Sequence, residues 1–315
     1  MSRLIGHDAQ LRQFEQACAS GRLHHGWILS GPRGVGKARF ALAAARMLVD
    51  PENRHSDWIE HRTHPDIVWV ERLAKDSDVE NSELARSIGV DQVRGLQQKL
   101  TMQPSMGPKR AVIIDSADDF ERSAANALLK SLEEPPVGTI FLLVSHSSER
   151  LLPTIRSRCQ MLRFNPLSPQ QMTAILAEEA PELAGNALER LIASSNGSPG
   201  QAIAHAALDL AAVEASMDLI IDRAQPGHAE THKLADALSA KSAQMRYEAF
   251  LRRVPSKIAE FSRSQPLPVA AAGAEAYHAA ETLAARALAL SLDKPAVVMQ
   301  MGNLLASLRA NAADA

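Results

Sequence analysis

Aromatic side chains are scarce in this 315-residue chain, at 4% of the total. Bases of unpaired nucleic acid stack on such side chains, so tight single-strand binding by the chain alone is disfavoured. Charge of one sign is also lacking. The formal net charge is −2, which excludes a global basic field for nucleic acid and leaves only a local basic patch open. There are two cysteines, Cys18 and Cys159, and no CxxC pair. A disulfide framework is thereby excluded, and a reducing, cytoplasmic setting fits. No run of about 18 apolar residues occurs, so no transmembrane helix and no membrane partner are expected. The opening MSRLIGHDAQ lacks the apolar core of a signal peptide.

What the chain does have is a globular balance, with 46% hydrophobic and 22% charged residues. Its length allows two or three domains and a substantial core. Alanine is used heavily, which favours helix.

The first half alternates apolar runs with helical patterns. Strands are expected at 27–30, 66–71, 111–115, 140–145 and 160–164, where apolar residues follow one another without alternation, as in strands covered on both faces. Helices are expected at 38–50 and 91–100, the second with Asp91 as N-cap. This order predicts a parallel α/β sheet. Residues 72–87 are charged and aperiodic and read as an exposed loop. PSMGPKR (104–110) reads as a turn into the third strand. Beyond Phe164 the strand signal fades. Ser168 and Pro169 are set to start a helix that reaches about Leu191. Residues 203–315 read as four or five helices, with breaks near 225–228, 265–268 and 293–295. Pro255 predicts a kink or boundary. The tail ANAADA is expected to fray.

The sharpest motif is GPRGVGKA, with Gly31, Gly34, Gly36, Lys37 and Ala38 spaced as G-x-x-x-x-G-K between an apolar run and a helix. Glycines permit the backbone to close around phosphates, and the following helix adds its positive end. Lys37 supplies charge for the outer phosphates. Ala38 stands where a hydroxyl normally reaches Mg²⁺. Two readings stay open: a cradle that holds ATP and Mg²⁺ weakly, or a loop that persists because it packs well. Asp115 ends the third strand, where such sheets place ligand-binding residues. The next position would carry the carboxylate that polarises water, and it is Ser116; Asp118 and Asp119 follow out of register. Self-catalysed hydrolysis is therefore not expected.

Seven segments in order resemble the clamp-loader branch of the AAA+ superfamily: HHGWILSGPRGVGKA, HPDIVWVE, IGVDQVR, VIIDSAD, AANALLKSLEEPP, SRC and GSPGQA. The resemblance covers residues 1–205; the last hundred match only in being helical. It implies an AAA+ P-loop domain at 1–165, a small helical lid at 166–205 and an all-helical collar at 206–315. It assigns Arg158 of the SRC segment as an arginine finger, donated in trans to a neighbour's nucleotide. From the residues alone, the rival for Arg158 is a surface ion pair. Ser145 falls where the family has a polar sensor of the γ-phosphate, and it could equally brace the turn. Gly200 stands where ATP-using relatives carry arginine. The implied assembly has five chains and places this one with ATP-binding motor subunits of gamma/tau type and a clamp-opening delta subunit, acting on a sliding clamp and primed DNA. No cofactor is required of this chain. Relatives often carry a cysteine-based zinc module between the first helix and the second strand; residues 50–66 have His55, His61 and His64 but no cysteine, so no zinc is expected. The alternative function is a self-sufficient AAA+ ATPase of the gamma/tau motor kind. It would need groups that Ala38, Ser116 and Gly200 do not supply.

Overall fold

The computed structural model describes residues 4–74, 84–181, 185–208, 210–224, 229–240, 243–290 and 292–313. The chain forms two compact units, residues 1–203 and 204–315.

The first unit begins with α1 (Asp8–Ala19), β1 (Gly26–Ser30), α2 (Lys37–Val49) and α3 (Ser56–Glu60). It continues with β2 (Ile67–Glu71), α4 (Val90–Leu100), β3 (Arg110–Asp115), α5 (Arg122–Glu133) and β4 (Thr139–Ser145). Then come α6 (Pro153–Arg156), β5 (Gln160–Arg163), α7 (Pro169–Glu179), α8 (Gly185–Ser194) and α9 (Pro199–Ala207), of which the last crosses the boundary. The five strands form one parallel sheet in the order β2-β3-β4-β1-β5. All five lie within two residues of the positions expected from their apolar runs.

Alternate residues of each run serve opposite faces, which is why the runs are continuous. Trp27, Leu29, Ile113 and Leu142 pack with Phe14 and Phe40 on one side. Ile28, Val112, Ile114, Phe141 and Leu143 pack with Leu128 and Leu132 on the other. The few aromatics are concentrated on the first side. Phe14 meets Trp27 edge-on at 5.2 Å between centroids, and Phe40 meets Phe164 at 5.0 Å.

Local rules explain most of the boundaries. Ser168 caps α7 by accepting the Gln171 N–H at 3.3 Å, while Gln171 Oε1 accepts the Ser168 N–H, with Pro169 at the first helical position. The cap of α4 differs from expectation. The helix starts at Val90 after Gly89, whose N–H donates to Gln92 Oε1 at 3.2 Å, and Asp91 sits inside the first turn, paired with Arg94. The single helix expected to reach Leu191 is two, α7 and α8, with Pro181 just past the end of the first. The 104–110 turn is held by buried groups: Asp66 accepts the N–H groups of Ser105 (2.6 Å) and Met106 (2.7 Å), and Arg110 donates to Lys99 O, Met102 O and Gln103 O. Residues 75–83 of the charged loop lie outside the described residues, as does the break at 225–228.

The second unit contains α10 (Ala211–Arg223), α11 (Ala229–Ser239), α12 (Gln244–Arg263), α13 (Leu267–Leu290) and α14 (Lys294–Ala313). Its core includes Met217, Phe250, Val254, Ile258, Val298 and Leu305. Pro255 neither ends nor splits α12, which runs through it. Val254 and Ile258 on either side are fully buried, so packing offsets the hydrogen bond that proline removes. Arg253, also buried, donates to Glu214 at 2.5 Å and to both carboxylate oxygens of Glu260 at 2.8 Å. The expected breaks at 265–268 and 293–295 separate α12, α13 and α14, and Asp293 caps α14 through the Ala296 N–H at 3.0 Å. Helix α14 extends into the tail that was expected to fray; residues 314 and 315 lie outside the described residues.

Candidate functional site

Parallel register brings the carboxyl ends of the strands to one edge. Ser30 pairs with Ser145, and Glu71 with Asp115. The glycine loop leaves β1 at this edge and enters α2 through Gly36, whose φ is 111°; Gly34 has φ 79°. Both lie in the region that side chains disfavour.

Lys37, at the start of α2, is 3% exposed. Its Nζ donates to Gly31 O at 2.5 Å and Pro32 O at 2.6 Å. Burial lowers its pKa to about 8, against the opposing pull of Asp118 and Asp115. Ala38 follows it, half-buried and with no oxygen to offer. Gly31, Gly34 and Gly36 shape the loop around this lysine.

Asp115 ends β3 beside Glu71. Burial raises its pKa, and the Glu71 carboxylate adds to the rise. Ser116, directly after it, donates to Asp119 at 3.1 Å, and Asp119 also pairs with Arg72 at 3.3 Å. Asp118 organises the end of β4. Its carboxylate accepts Ser145 Oγ (3.0 Å), the His146 N–H (2.6 Å) and the Ser147 N–H (3.2 Å). Ser145 is fully buried, with its hydroxyl on Asp118. His146 has its pKa lowered to about 4 by burial and by the charges of Lys37 and Arg33.

Two residues that were not among the expected site residues also reach the loop. His7, preceding α1, donates from Nε2 to Val35 O at 2.7 Å, its pKa lowered by burial. Gln201, in α9, donates from Nε2 to Arg33 O at 3.0 Å. Gly200 beside it sits directly on the loop, its N–H donating to Gly34 O at 2.9 Å.

Arg158 stands elsewhere. It follows α6 and precedes β5, which runs parallel to β1 with Gln160 opposite Trp27. It therefore flanks the amino ends of the strands, about 13 Å of strand away from the loop. Its carbonyl lies beside Gly26, the first residue of β1. The side chain is 34% exposed; Nη2 pairs with Glu133 at 2.7 Å, and Nη1 donates to Thr154 O at 3.0 Å. Cys159, next in sequence, is a packing residue, its thiol pushed up to about 12 by burial.

The histidine segment is closed by its own contacts. Asp50 accepts the N–H groups of Arg54 and His55, both at 2.8 Å, and His55 lies against Trp58 and the buried His64. Among the described residues, no group of three or more His, Cys, Asp or Glu is placed to hold a metal ion. No helix among them is long and apolar enough to cross a membrane.

Residues 6–168, which carry the loop, Asp115, Ser145 and Arg158, match the family model described as DNA polymerase III, delta subunit. The chain belongs to this family. Within the delta-subunit family its likeness is to delta-prime members. The DNA polymerase III subunit delta' of Pseudomonas aeruginosa is 36% identical over 184 residues, 56% of this chain and 53% of that protein. The delta' subunit of Escherichia coli is 34% identical over 203 residues, 61% of this chain and 58% of that one. A DNA polymerase III subunit gamma/tau of Mycobacterium tuberculosis is 30% identical over 236 residues, 73% of this chain and 38% of that protein. The match thus spans about half the length of the delta' relatives. The glycine loop on a five-stranded parallel sheet, with helices following, is the α/β architecture expected from the motifs.

Proposed function

We propose that this chain is a delta-prime-type subunit of a DNA polymerase III clamp loader, that it gives Arg158 in trans to the ATP of a gamma/tau-type motor subunit, and that it turns over no ATP itself. The observation that carries this reading is the placement of Arg158. It lies at the opposite end of the sheet from its own loop, half-exposed, so no motion of its side chain serves the chain's own nucleotide. A guanidinium offers rigid, planar donors to the oxygens of a γ-phosphate, where it offsets charge that develops in the transition state.

The loop supports the other half of the reading. Residues as placed do not fit a hydrolytic magnesium–triphosphate. Lys37 is bound to loop carbonyls, Ala38 carries no ligand oxygen, and Asp118 and Asp119 are held by neighbours. No cofactor is then needed by this chain. Its partners are the motor subunits and a clamp-opening delta subunit in a five-chain cytoplasmic assembly, and the sliding clamp and primed DNA are reached through that assembly.

The test is reconstitution with motor and delta subunits, followed by DNA-stimulated ATP hydrolysis and clamp loading. An Arg158→Ala chain should assemble normally and leave hydrolysis slow; unchanged hydrolysis would defeat the reading. Steady ATP turnover by the isolated chain would favour the gamma/tau-like motor instead.

A further inference from the structure

The two edges of the Arg158 guanidinium are held differently. Nη1 is seated by the end of its own helix. It donates to Thr154 O at 3.0 Å and to Ser157 Oγ at 3.3 Å, and Ser157 Oγ donates in turn to Thr154 O at 3.1 Å. This seat is local to α6 and the residues that follow it. On the other edge, Nε makes no hydrogen bond among the described residues, and Nη2 meets the Glu133 carboxylate at 2.7 Å. Glu133 belongs to a separate element, as the last residue of α5. A carboxylate at that end faces the negative pole of the helix dipole, so helix electrostatics disfavour it there. Among the described residues its ion-pair partner is Arg158, and both side chains are partly exposed.

We infer that Glu133 is a stand-in anion: it occupies the edge of Arg158 that a neighbour's γ-phosphate would take, and it is displaced when that phosphate arrives. The inference rests on the trans role proposed for Arg158. The competition is direct, because carboxylate and phosphate oxygens accept from the same guanidinium N–H groups. The Nη1 seat takes no part in it, so the guanidinium keeps its place while its outward edge changes partner. Glu133 thereby sets a threshold. A terminal phosphate has three oxygens and can engage Nε and Nη2 together, whereas the carboxylate as placed meets Nη2 alone. Once the γ-phosphate has left, the carboxylate reclaims the edge and the arginine disengages.

Steady-state ATP hydrolysis by the reconstituted assembly with DNA tests it, with Glu133→Gln made alone and together with Arg158→Ala. Glutamine keeps the size of the side chain and removes its charge. Glu133→Gln should raise kcat/KM by about two- to fivefold, the worth of an exposed ion pair. The gain should come through a lower KM, because the carboxylate is displaced as the triphosphate binds. In the Arg158→Ala background the same substitution should change neither parameter, a dependence that a purely structural role for Glu133 would not produce. Ser157→Ala removes one acceptor from the Nη1 seat and should lower kcat/KM by about twofold or more. A kcat/KM that Glu133→Gln lowers or leaves unchanged would overturn the stand-in, and so would an equal rise with and without Arg158. Failure of the trans role shows itself separately, as hydrolysis that Arg158→Ala alone leaves unchanged, and it would overturn this inference as well.

Discussion

Lys37 and Arg158 are both cations at motif positions, and the chain treats them in opposite ways. Lys37 is buried, with its ammonium bonded to two carbonyls of its own loop. Arg158 is half-exposed, with its guanidinium held by Glu133 at the surface and by one backbone oxygen. Exposed ion pairs are typically worth about 0–1 kcal/mol, so a phosphate brought by a neighbour, as proposed, would redirect Arg158 at little cost. Withdrawing Lys37 leaves two partly buried carbonyls unpaired, at up to about 1–3 kcal/mol for each group. The difference separates a group that serves the fold from one that is presented outward. Motif identity alone does not make that distinction.

Removing the outward cation should have the largest effect. With Arg158→Ala, ATP hydrolysis by the reconstituted assembly should fall on the order of 10- to 10³-fold, below the range for a sole arginine finger because other sites persist. Arg158→Lys should recover little of it, because an ammonium lacks the planar fork. The folded chain itself should change by under about 1 kcal/mol in urea denaturation, since only a surface pair is lost. A large stability loss with normal hydrolysis would invert the comparison and place Arg158 with Lys37.

The inward side breaks at Asp118. Replacement by alanine strands the buried Ser145 hydroxyl and the His146 N–H, and should destabilise the chain by about 3 kcal/mol in chemical denaturation. Asp118→Asn, which keeps acceptor oxygen, should cost less. His146 gives a pH-dependent version of the same test. Its folded pKa of about 4 lies below the ordinary value of 6.5, so the folded state binds the proton less well than the unfolded chain. Its effect on stability is absent above the ordinary value, and stability falls as pH drops through the window from there to the folded value. The loss should be on the order of 2–3 kcal/mol, and His146→Gln should remove that part of the pH dependence. A wild-type curve that parallels the variant's would show the imidazole to be open to water.

How far these residues were legible depends on the range of their partners. The strands were readable because continuous apolar runs report burial on both faces, as at Val112–Ile114 and Phe141–Leu143. The cap at Ser168 was readable because its partner, Gln171, is three residues away. Asp118 was visible only as a carboxylate out of register, because its partners stand at and just after the end of β4, 27 to 29 residues further on. His7 carries no signal of its own, and Gly200 is tied to the nucleotide site only through the resemblance of GSPGQA, since its partner Gly34 is far away in sequence. Pro255 differs in the other direction. Its local rule allows a kink or a boundary; α12 has no boundary there, and the residues around the proline are buried. Arg158 was found through its motif, while its orientation follows from strand register.

The smallest expected effect belongs to Lys37, and it bears most directly on the comparison. Lys37→Met keeps the aliphatic stem in its buried site and removes the ammonium. Two contributions then oppose each other. Two charge-assisted hydrogen bonds to Gly31 O and Pro32 O disappear, which destabilises. A desolvated cation with its pKa lowered to about 8 also disappears, which relieves the folded state at neutral pH. The net change in denaturation free energy should stay within about 1 kcal/mol, because the terms are similar in size. Reconstituted assemblies should load clamps and hydrolyse ATP within about twofold of wild type, since on this reading the lysine faces its own backbone and no phosphate. Normal folding with a loss of loading as deep as that of Arg158→Ala would mean that Lys37 leaves its carbonyls in the working complex. The inward and outward cations would then differ only in the isolated chain.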